Sequence, residues 1–165
     1  MTTAPAPRPD DFASLLEGLE VEPPASEDDL RELAEYVSAT FRAELPEDYV
    51  AFLRMANGAD GEFGNGAPIV LWTASALPEA NTFGAELVLP GCLLIGSDAG
   101  DGLYGIDLRS DAPTERYVDL YDGPEWDLVL WRGDSFLALL RHISRPAPPS
   151  ATGVRGVLGR LRRRR

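Results

Sequence analysis

Residues 92–109 read CLLIGSDAGDGLYGIDLR, and this stretch decides the fold. An apolar run over Cys92–Ile95 precedes a turn of Ser, Asp and Gly, and a second apolar run begins at Leu103. Every second residue of that run is large and apolar: Tyr104, Ile106 and Leu108. This period is typical of a strand with one buried face. The stretch therefore predicts a β-hairpin at the centre of a sheet, with these three side chains facing the core.

The turn of this hairpin, SDAGDG at 97–102, is acidic and rich in glycine. Gly100 and Gly102 can adopt the positive φ that such turns often need, and the Asp98 carboxylate can accept hydrogen bonds from nearby amides. A phosphate-binding loop opens a helix, whereas this turn joins two strands. We therefore expect a structural turn whose acidic tip is available for contact with a protein.

Helical periodicity flanks the hairpin on both sides. Four segments carry apolar residues at i, i+3 and i+4 spacing: 12–19, 30–41, 49–56 and 136–143. Ser26 with Asp29 resembles a capping box at the start of the second helix, and Asp134 is placed to cap the last one. The predicted fold class is α+β, with N-terminal helices, a central mostly antiparallel sheet and a C-terminal helix packed on it.

The chain divides into one domain and two tails. Residues 1–9, MTTAPAPRP, are rich in Pro and Ala, and we expect them to be disordered. Residues 10–144 are enough for one domain with its own core. Residues 145–165 form a Pro-rich linker followed by an Arg-rich tail. Within the domain, 59–67 (ADGEFGNGA) is predicted to be a glycine-rich acidic loop.

The charge of the chain is unevenly distributed. All 15 basic residues are arginines, and seven of them lie in 145–165, which contains no acid. Residues 1–144 therefore hold eight basic and 27 acidic residues, a net charge of −19. A body this negative repels nucleic acid and attracts a basic partner. The Arg-rich tail has the opposite character and is suited to an acidic surface or an anionic membrane, unless it is simply disordered.

Several classes of protein are not expected. No apolar run approaches the roughly 20 residues that cross a bilayer, so we expect a cytoplasmic protein. With one cysteine, Cys92, and one histidine, His142, neither an internal disulfide nor a His/Cys metal site is expected. Asp60, Glu62 and Asn65 lack the spacing of a calcium-binding loop. We predict no cofactor and no metal.

Known catalytic motifs are missing from the sequence, including the phosphate-binding GxxxxGK[ST] loop, the GxSxG nucleophile elbow and HExxH. His142 falls near the end of a helix, where it complements the helix dipole. Asp98, Asp101 and Asp107 lie close together in sequence, and paired carboxylates can hydrolyse bonds or hold Mg²⁺. We predict no catalytic residues, and a carboxylate-dependent hydrolase is the remote alternative.

Aromatic residues among acids give a better indication of function, because such residues often anchor interfaces. Trp72 and Trp131 are interpreted as core residues. For Phe63, Tyr121 and Trp126 the sequence leaves core and interface roles equally open.

The order of these signals resembles the SMI1/KNR4 family of the SUKH superfamily, strongest over 45–143. Four stretches carry the resemblance: LPEDYVAFLRMANG at 45–58, LW…LPEAN at 71–81, IGSDAGDGLYGIDLR at 95–109 and GDSFLALL at 133–140. The resemblance implies an α+β domain that binds proteins without catalysis. Bacterial members look like SUKH-1-type immunity proteins of toxin systems, and fungal relatives look like regulatory scaffolds.

The leading hypothesis from the sequence is an immunity protein that occludes a basic toxin domain, such as a nuclease, with an acidic surface. The candidate contact residues are Asp60, Glu62, Phe63, Asp98, Asp101, Tyr121, Asp122, Glu125 and Trp126. The alternative is a regulatory scaffold that recruits partners through its basic tail.

Overall fold

The computed structural model describes residues 8–84, 89–121 and 125–145. Most of the predicted N-terminal disorder, at 1–7, and nearly all of the Arg-rich tail, at 146–165, lie outside the described residues. Among the helices of the described ranges, none is long and apolar enough to cross a membrane.

Five helices lie in the described ranges, and four of them are the helices that periodicity predicts. Their bounds are α1 Pro9–Leu15, α2 Glu27–Phe41, α3 Glu47–Met55, α4 Leu77–Gly84 and α5 Phe136–Ser144. The capping box at α2 is present, because the Ser26 hydroxyl accepts a hydrogen bond from the Asp29 amide at 3.0 Å. The remaining helix, α4, lies between β3 and β4 in the chain.

Seven strands form one antiparallel sheet whose strand order follows the sequence. They are β1 Glu20–Val21, β2 Ala59–Glu62, β3 Pro68–Leu71, β4 Cys92–Ser97, β5 Gly102–Asp107, β6 Tyr117–Tyr121 and β7 Val129–Gly133. The predicted hairpin is β4–β5, at the centre of the sheet. The predicted α+β class, with its C-terminal helix on an antiparallel sheet, is confirmed.

The main core lies between the helices and one face of the sheet. Tyr104, Ile106 and Leu108 belong to it, as the alternation in the sequence predicts. Every one of the five helices contributes buried apolar side chains to the same cluster, among them Phe12, Val37, Phe52, Leu77 and Phe136. The helices therefore cover one face of the sheet.

Two local predictions are corrected by the structure. The segment 59–67 is not all loop, since β2 occupies Ala59–Glu62 and pairs with both neighbouring strands. Its low strand propensity is overridden by this pairing. In the β4–β5 turn it is Ala99, at φ +59°, that adopts the left-handed conformation, and neither Gly100 nor Gly102 does.

The carboxylate of Asp48, in the first turn of α3, joins three elements. It accepts hydrogen bonds from the Tyr117 hydroxyl on β6 at 2.5 Å and from the Phe136 amide at the start of α5 at 2.7 Å. Burial, reinforced by the charge of Asp48, raises the pKa of Tyr117 far above its ordinary value, so the hydroxyl remains a donor. The helix layer is thereby fixed to the sheet.

The N-terminus of α5 is capped differently from the sequence prediction. The Ser135 hydroxyl, not Asp134, accepts a hydrogen bond from the Ala138 amide at 3.2 Å. Asp134 is exposed. The first amide of α5 is satisfied by Asp48, 88 residues earlier in the chain, which no local sequence signal indicates.

Replacing Asp48 with Ala is expected to lower the free energy of unfolding by about 3 kcal/mol, because a buried hydroxyl and a helix amide lose their acceptor. Urea unfolding followed by circular dichroism measures the change. The matched control is Asp134→Ala, an exposed acid beside the same helix, for which the change stays within about 0.5 kcal/mol. An Asp48→Ala chain with the urea midpoint of the parent contradicts this role for Asp48.

Candidate functional site

Three hairpin turns lie at the same end of the sheet. Because successive strands are antiparallel and adjacent, the β2–β3, β4–β5 and β6–β7 connections fall at one end and the other connections at the opposite end. Strands in a sheet are about 4.8 Å apart, so neighbouring turns of this set are about 10 Å apart. We call the connections 63–67 and 98–101, together with the end of β6 at Tyr121, the hairpin end.

The topology brings most of the predicted contact residues to or beside the hairpin end. Four acids among them are exposed: Asp60, Glu62, Asp101 and Glu125. Within the described ranges, no ion pair joins any of these four carboxylates to an arginine or histidine. Tyr121 is half-buried at the end of β6, and Asp122 lies outside the described residues.

Phe63 is a core residue and not a contact residue. Its side chain is 4% exposed and belongs to the cluster beneath the helices. Its amide donates to the Ala67 carbonyl at 2.9 Å and closes the β2–β3 turn. A ring buried in this way cannot meet a partner, so Phe63 is removed from the candidate surface.

Asp98 shapes the β4–β5 turn. One oxygen of its half-buried carboxylate, Oδ1, accepts hydrogen bonds from the Gly100 and Gly102 amides, each at 2.9 Å. A Cβ at position 102 would collide with this carboxylate, which explains the glycine there. The expected hydrogen bonds between Asp98 and the backbone are present, and they stabilise the turn.

Asp101 and Asp107, two acids of the central hairpin, lie too far apart to form a catalytic pair. Asp101 precedes β5 and Asp107 ends it, and five residue steps of about 3.4 Å place the strand ends about 17 Å apart. Paired carboxylates in glycosidases lie about 5–9.5 Å apart. Within the described residues no three His, Cys, Asp or Glu side chains are grouped as metal ligands.

Asp107 instead forms a buried ionic cluster that the sequence did not indicate. Its carboxylate is fully buried and accepts two hydrogen bonds from the Arg109 guanidinium, at 2.9 and 2.8 Å, one from the Arg109 amide at 3.2 Å and one from Arg132 at 3.1 Å. Arg132 lies on β7 and Asp107 on β5, so this contact spans β6. The cluster fixes three strands relative to one another.

The electrostatics of this cluster favour the charged carboxylate. Burial raises the pKa of Asp107, whereas the hydrogen bonds and charges of Arg109 and Arg132 lower it. The arginines outweigh burial, so the pKa of Asp107 lies below its ordinary value. The neighbouring thiol of Cys92 is buried, and its pKa is raised to about 12 by burial and then by the Asp107 charge.

Trp126 lies against the same cluster. The Arg109 guanidinium stacks 3.8 Å from the centre of its ring, and the Arg132 guanidinium lies 5.1 Å from it. The indole N–H donates to the Pro90 carbonyl at 3.1 Å. The half-buried ring is thus held in one orientation beside the ionic cluster, where β4 begins and β5 ends, with part of its surface still accessible.

The single histidine is held in a structural contact. His142, in the last turn of α5, hydrogen-bonds to the buried Asp119 carboxylate on β6 at 2.9 Å. Its ring stacks on Trp131 with centroids 4.3 Å apart and planes 5° from parallel. The predicted position near the helix end is correct, and Trp131 packs against the main core as expected.

The second face of the sheet carries its own apolar cluster, formed by Leu89, Cys92, Leu94, Val118 and Leu120. Within the described part of the chain, no apolar side chain of the five helices joins it. Trp72, Leu103, Trp126 and Val129 pack against it while remaining partly exposed. We call this the open face.

One cross-strand row crosses the open face from edge to edge. The strand register aligns Glu20, Asp60, Val70, Ser97, Leu103, Leu120 and Val129. Residues directly opposite in a sheet share a face, so these side chains form one line. The line is acidic over β1 and β2 and apolar over β5 to β7. The row depends on strand register, which a single sequence does not reveal, so the sequence does not indicate the row.

The profile of the SMI1 / KNR4 family (SUKH-1) matches residues 24–142. The match begins after β1 and ends within α5, so it takes in β2 to β7 and α2 to α4 completely. No curated protein matches the chain.

Replacing Asp107 with Asn is expected to lower the free energy of unfolding at pH 7 by about 3 kcal/mol, because two arginines lose a buried anionic partner. The native pKa of Asp107 is lowered, so its stabilisation is complete above the unfolded-state pKa and is lost as pH falls through the native pKa. The difference in the free energy of unfolding between parent and variant should therefore become smaller as the pH falls from 7 to about 3.

Urea unfolding of both chains at the two pH values measures this change. Asp101→Asn, which removes an exposed carboxylate, serves as the matched control and should show little difference at either pH. A parent-to-variant difference that is the same at both pH values contradicts the assignment of the ionic cluster.

Proposed function

Because the chain belongs to the SMI1/KNR4 family, as the resemblance in its sequence indicates, we propose that it is an immunity protein that binds and neutralises a bacterial toxin domain. Family membership supports a non-catalytic domain that acts by binding a protein. The toxin, and the surface that meets it, are our proposal.

The observation that carries the proposal is a set of exposed acids that form no ion pair within the described ranges. Asp60, Glu62, Asp101 and Glu125 are exposed, and no arginine or histidine in the described ranges forms an ion pair with them. Carboxylates that are not already paired retain their full attraction for a cationic partner. They lie within residues 1–144 of the chain, which carry a net charge of −19.

These charges suit a toxin that acts on nucleic acid. The substrate groove of a nuclease is lined by basic side chains, because binding to phosphates depends on them. An acidic domain is steered to such a groove by long-range attraction and then covers it. Neutralisation by this mechanism is stoichiometric and requires no chemistry from the bound domain.

The test is co-expression with the toxin domain encoded beside this chain, with growth rescue and co-purification as readouts. Charge reversal of both β2 acids in one chain, Asp60→Lys with Glu62→Lys, should slow association by about 10-fold at low salt, since steering depends on these acids. Stopped-flow or surface plasmon resonance measures the rate. The difference should shrink as the salt concentration rises.

The matched control reverses two exposed acids of α2, Glu32→Lys and Glu35→Lys, which leaves the hairpin end unchanged. This control should retain most of the association rate. Deletion of 146–165 separates the scaffold alternative, because it should abolish binding if the Arg-rich tail recruits the partner and leave neutralisation intact otherwise. Failure of the parent chain to bind or rescue refutes the immunity proposal.

A further inference from the structure

We propose that the centre of the partner contact is the apolar half of the cross-strand row, and that the partner presents an apolar patch bordered by lysine or arginine. This inference rests on the proposed function and goes beyond it, because the acids then steer the partner while the open face supplies the binding energy. Protein interfaces commonly combine an apolar centre with a polar rim.

The apolar half of the row is partly accessible, because Leu103 and Val129 are each half-buried, whereas Leu120 between them is buried. These residues lie on the sheet face that carries the second apolar cluster. At the neighbouring β7 edge, Leu128 is 48% exposed and Leu130 is 51% exposed. Leu128 and Leu130 are two of the three large apolar residues that are exposed in the described ranges.

The backing of this surface is rigid. Leu103 and Val129 pack against the buried Leu120 and Val118 of β6, the strand between them. The contact of Arg132 with Asp107 ties β7 to β5 across the same strand. A surface held in this way loses little conformational entropy on binding, which favours affinity.

The charges around the row select the partner. Glu20 and Asp60 continue the row at its far end, and Glu62 and Asp101 lie towards the hairpin end. A second copy of this chain would bring the same acids against them, on a protein with a net charge of −12. An apolar patch with a basic border complements both parts of the surface.

A competing surface is less suitable. A groove of about 740 Å³ lies between α2 and α3, and two exposed arginines, Arg31 and Arg54, are among its lining residues. Arg31 binds Asp28 at 2.8 Å, and Arg54 binds Glu27 at 3.1 Å. Exposed arginines repel a partner with a basic border. Asp60, Glu62 and Asp101 beside the open face form no ion pair with an arginine of the described ranges, so the observations favour the open face.

The test is calorimetric titration of the full chain with a catalytically inactive form of the neighbouring toxin domain. The double variant Leu103→Gln and Val129→Gln should weaken binding by about 30-fold or more, as loss of a hot spot does. Val50→Gln, at a half-buried apolar position in the α2–α3 groove, is the matched control and should bind as the parent does. Circular dichroism and urea midpoints establish that each variant is folded.

Leu130→Ser keeps the test decisive if the double variant does not fold, since this side chain is 51% exposed, and it should also weaken binding.

Parent-like affinity of the folded row variants overturns this inference and leaves the proposed function standing. Loss of affinity in Val50→Gln alone overturns it in favour of the groove. Absence of binding by the parent refutes the proposed function and this inference with it. A parent dimer in sedimentation that the row variants lose also overturns the inference, because a second copy then occupies the face.

Discussion

The Asp48 carboxylate is the contact on which the arrangement of the two layers depends. It is the shared acceptor for a buried tyrosine hydroxyl on β6 and for the first amide of α5, and it lies in the first turn of α3. Both donors need a partner because unsatisfied polar groups are costly in an apolar interior. Satisfying them with one carboxylate fixes the helices on a single face of the sheet, and this placement leaves the opposite face for another use.

The open face is unusual for an antiparallel sheet because it is neither fully polar nor covered by the described helices. Its apolar cluster is completed by Trp126, Arg109 and Arg132, with Asp107 buried beneath them. Acids lie beside this cluster without ion-pair partners among the described residues. Attraction of a basic partner by charge and its retention by apolar contact are separate physical effects. The fold supplies both on adjacent parts of one surface, which is what the immunity proposal requires.

Much of the fold could be predicted from local patterns, whereas most of the candidate site could not. The alternation of Tyr104, Ile106 and Leu108 is visible in one strand, and so is the capping box of α2. Asp48 and Phe136 are 88 residues apart, and the row from Glu20 to Val129 depends on the register of six strand pairs. Register and tertiary pairing are set by the whole fold, so no window of sequence contains them. Phe63 shows the same limit, since an aromatic residue in an acidic, glycine-rich segment has no local signal for burial.

Hydrogen exchange of the full chain, free and bound to the toxin domain, tests the central claim most directly, because it maps the contact without altering any residue. We expect slower exchange on binding in β2, in the β4–β5 turn and along β7, with little change in α2 and α3. Protection confined to α2 and α3, or no protection anywhere at saturating toxin, would contradict the account.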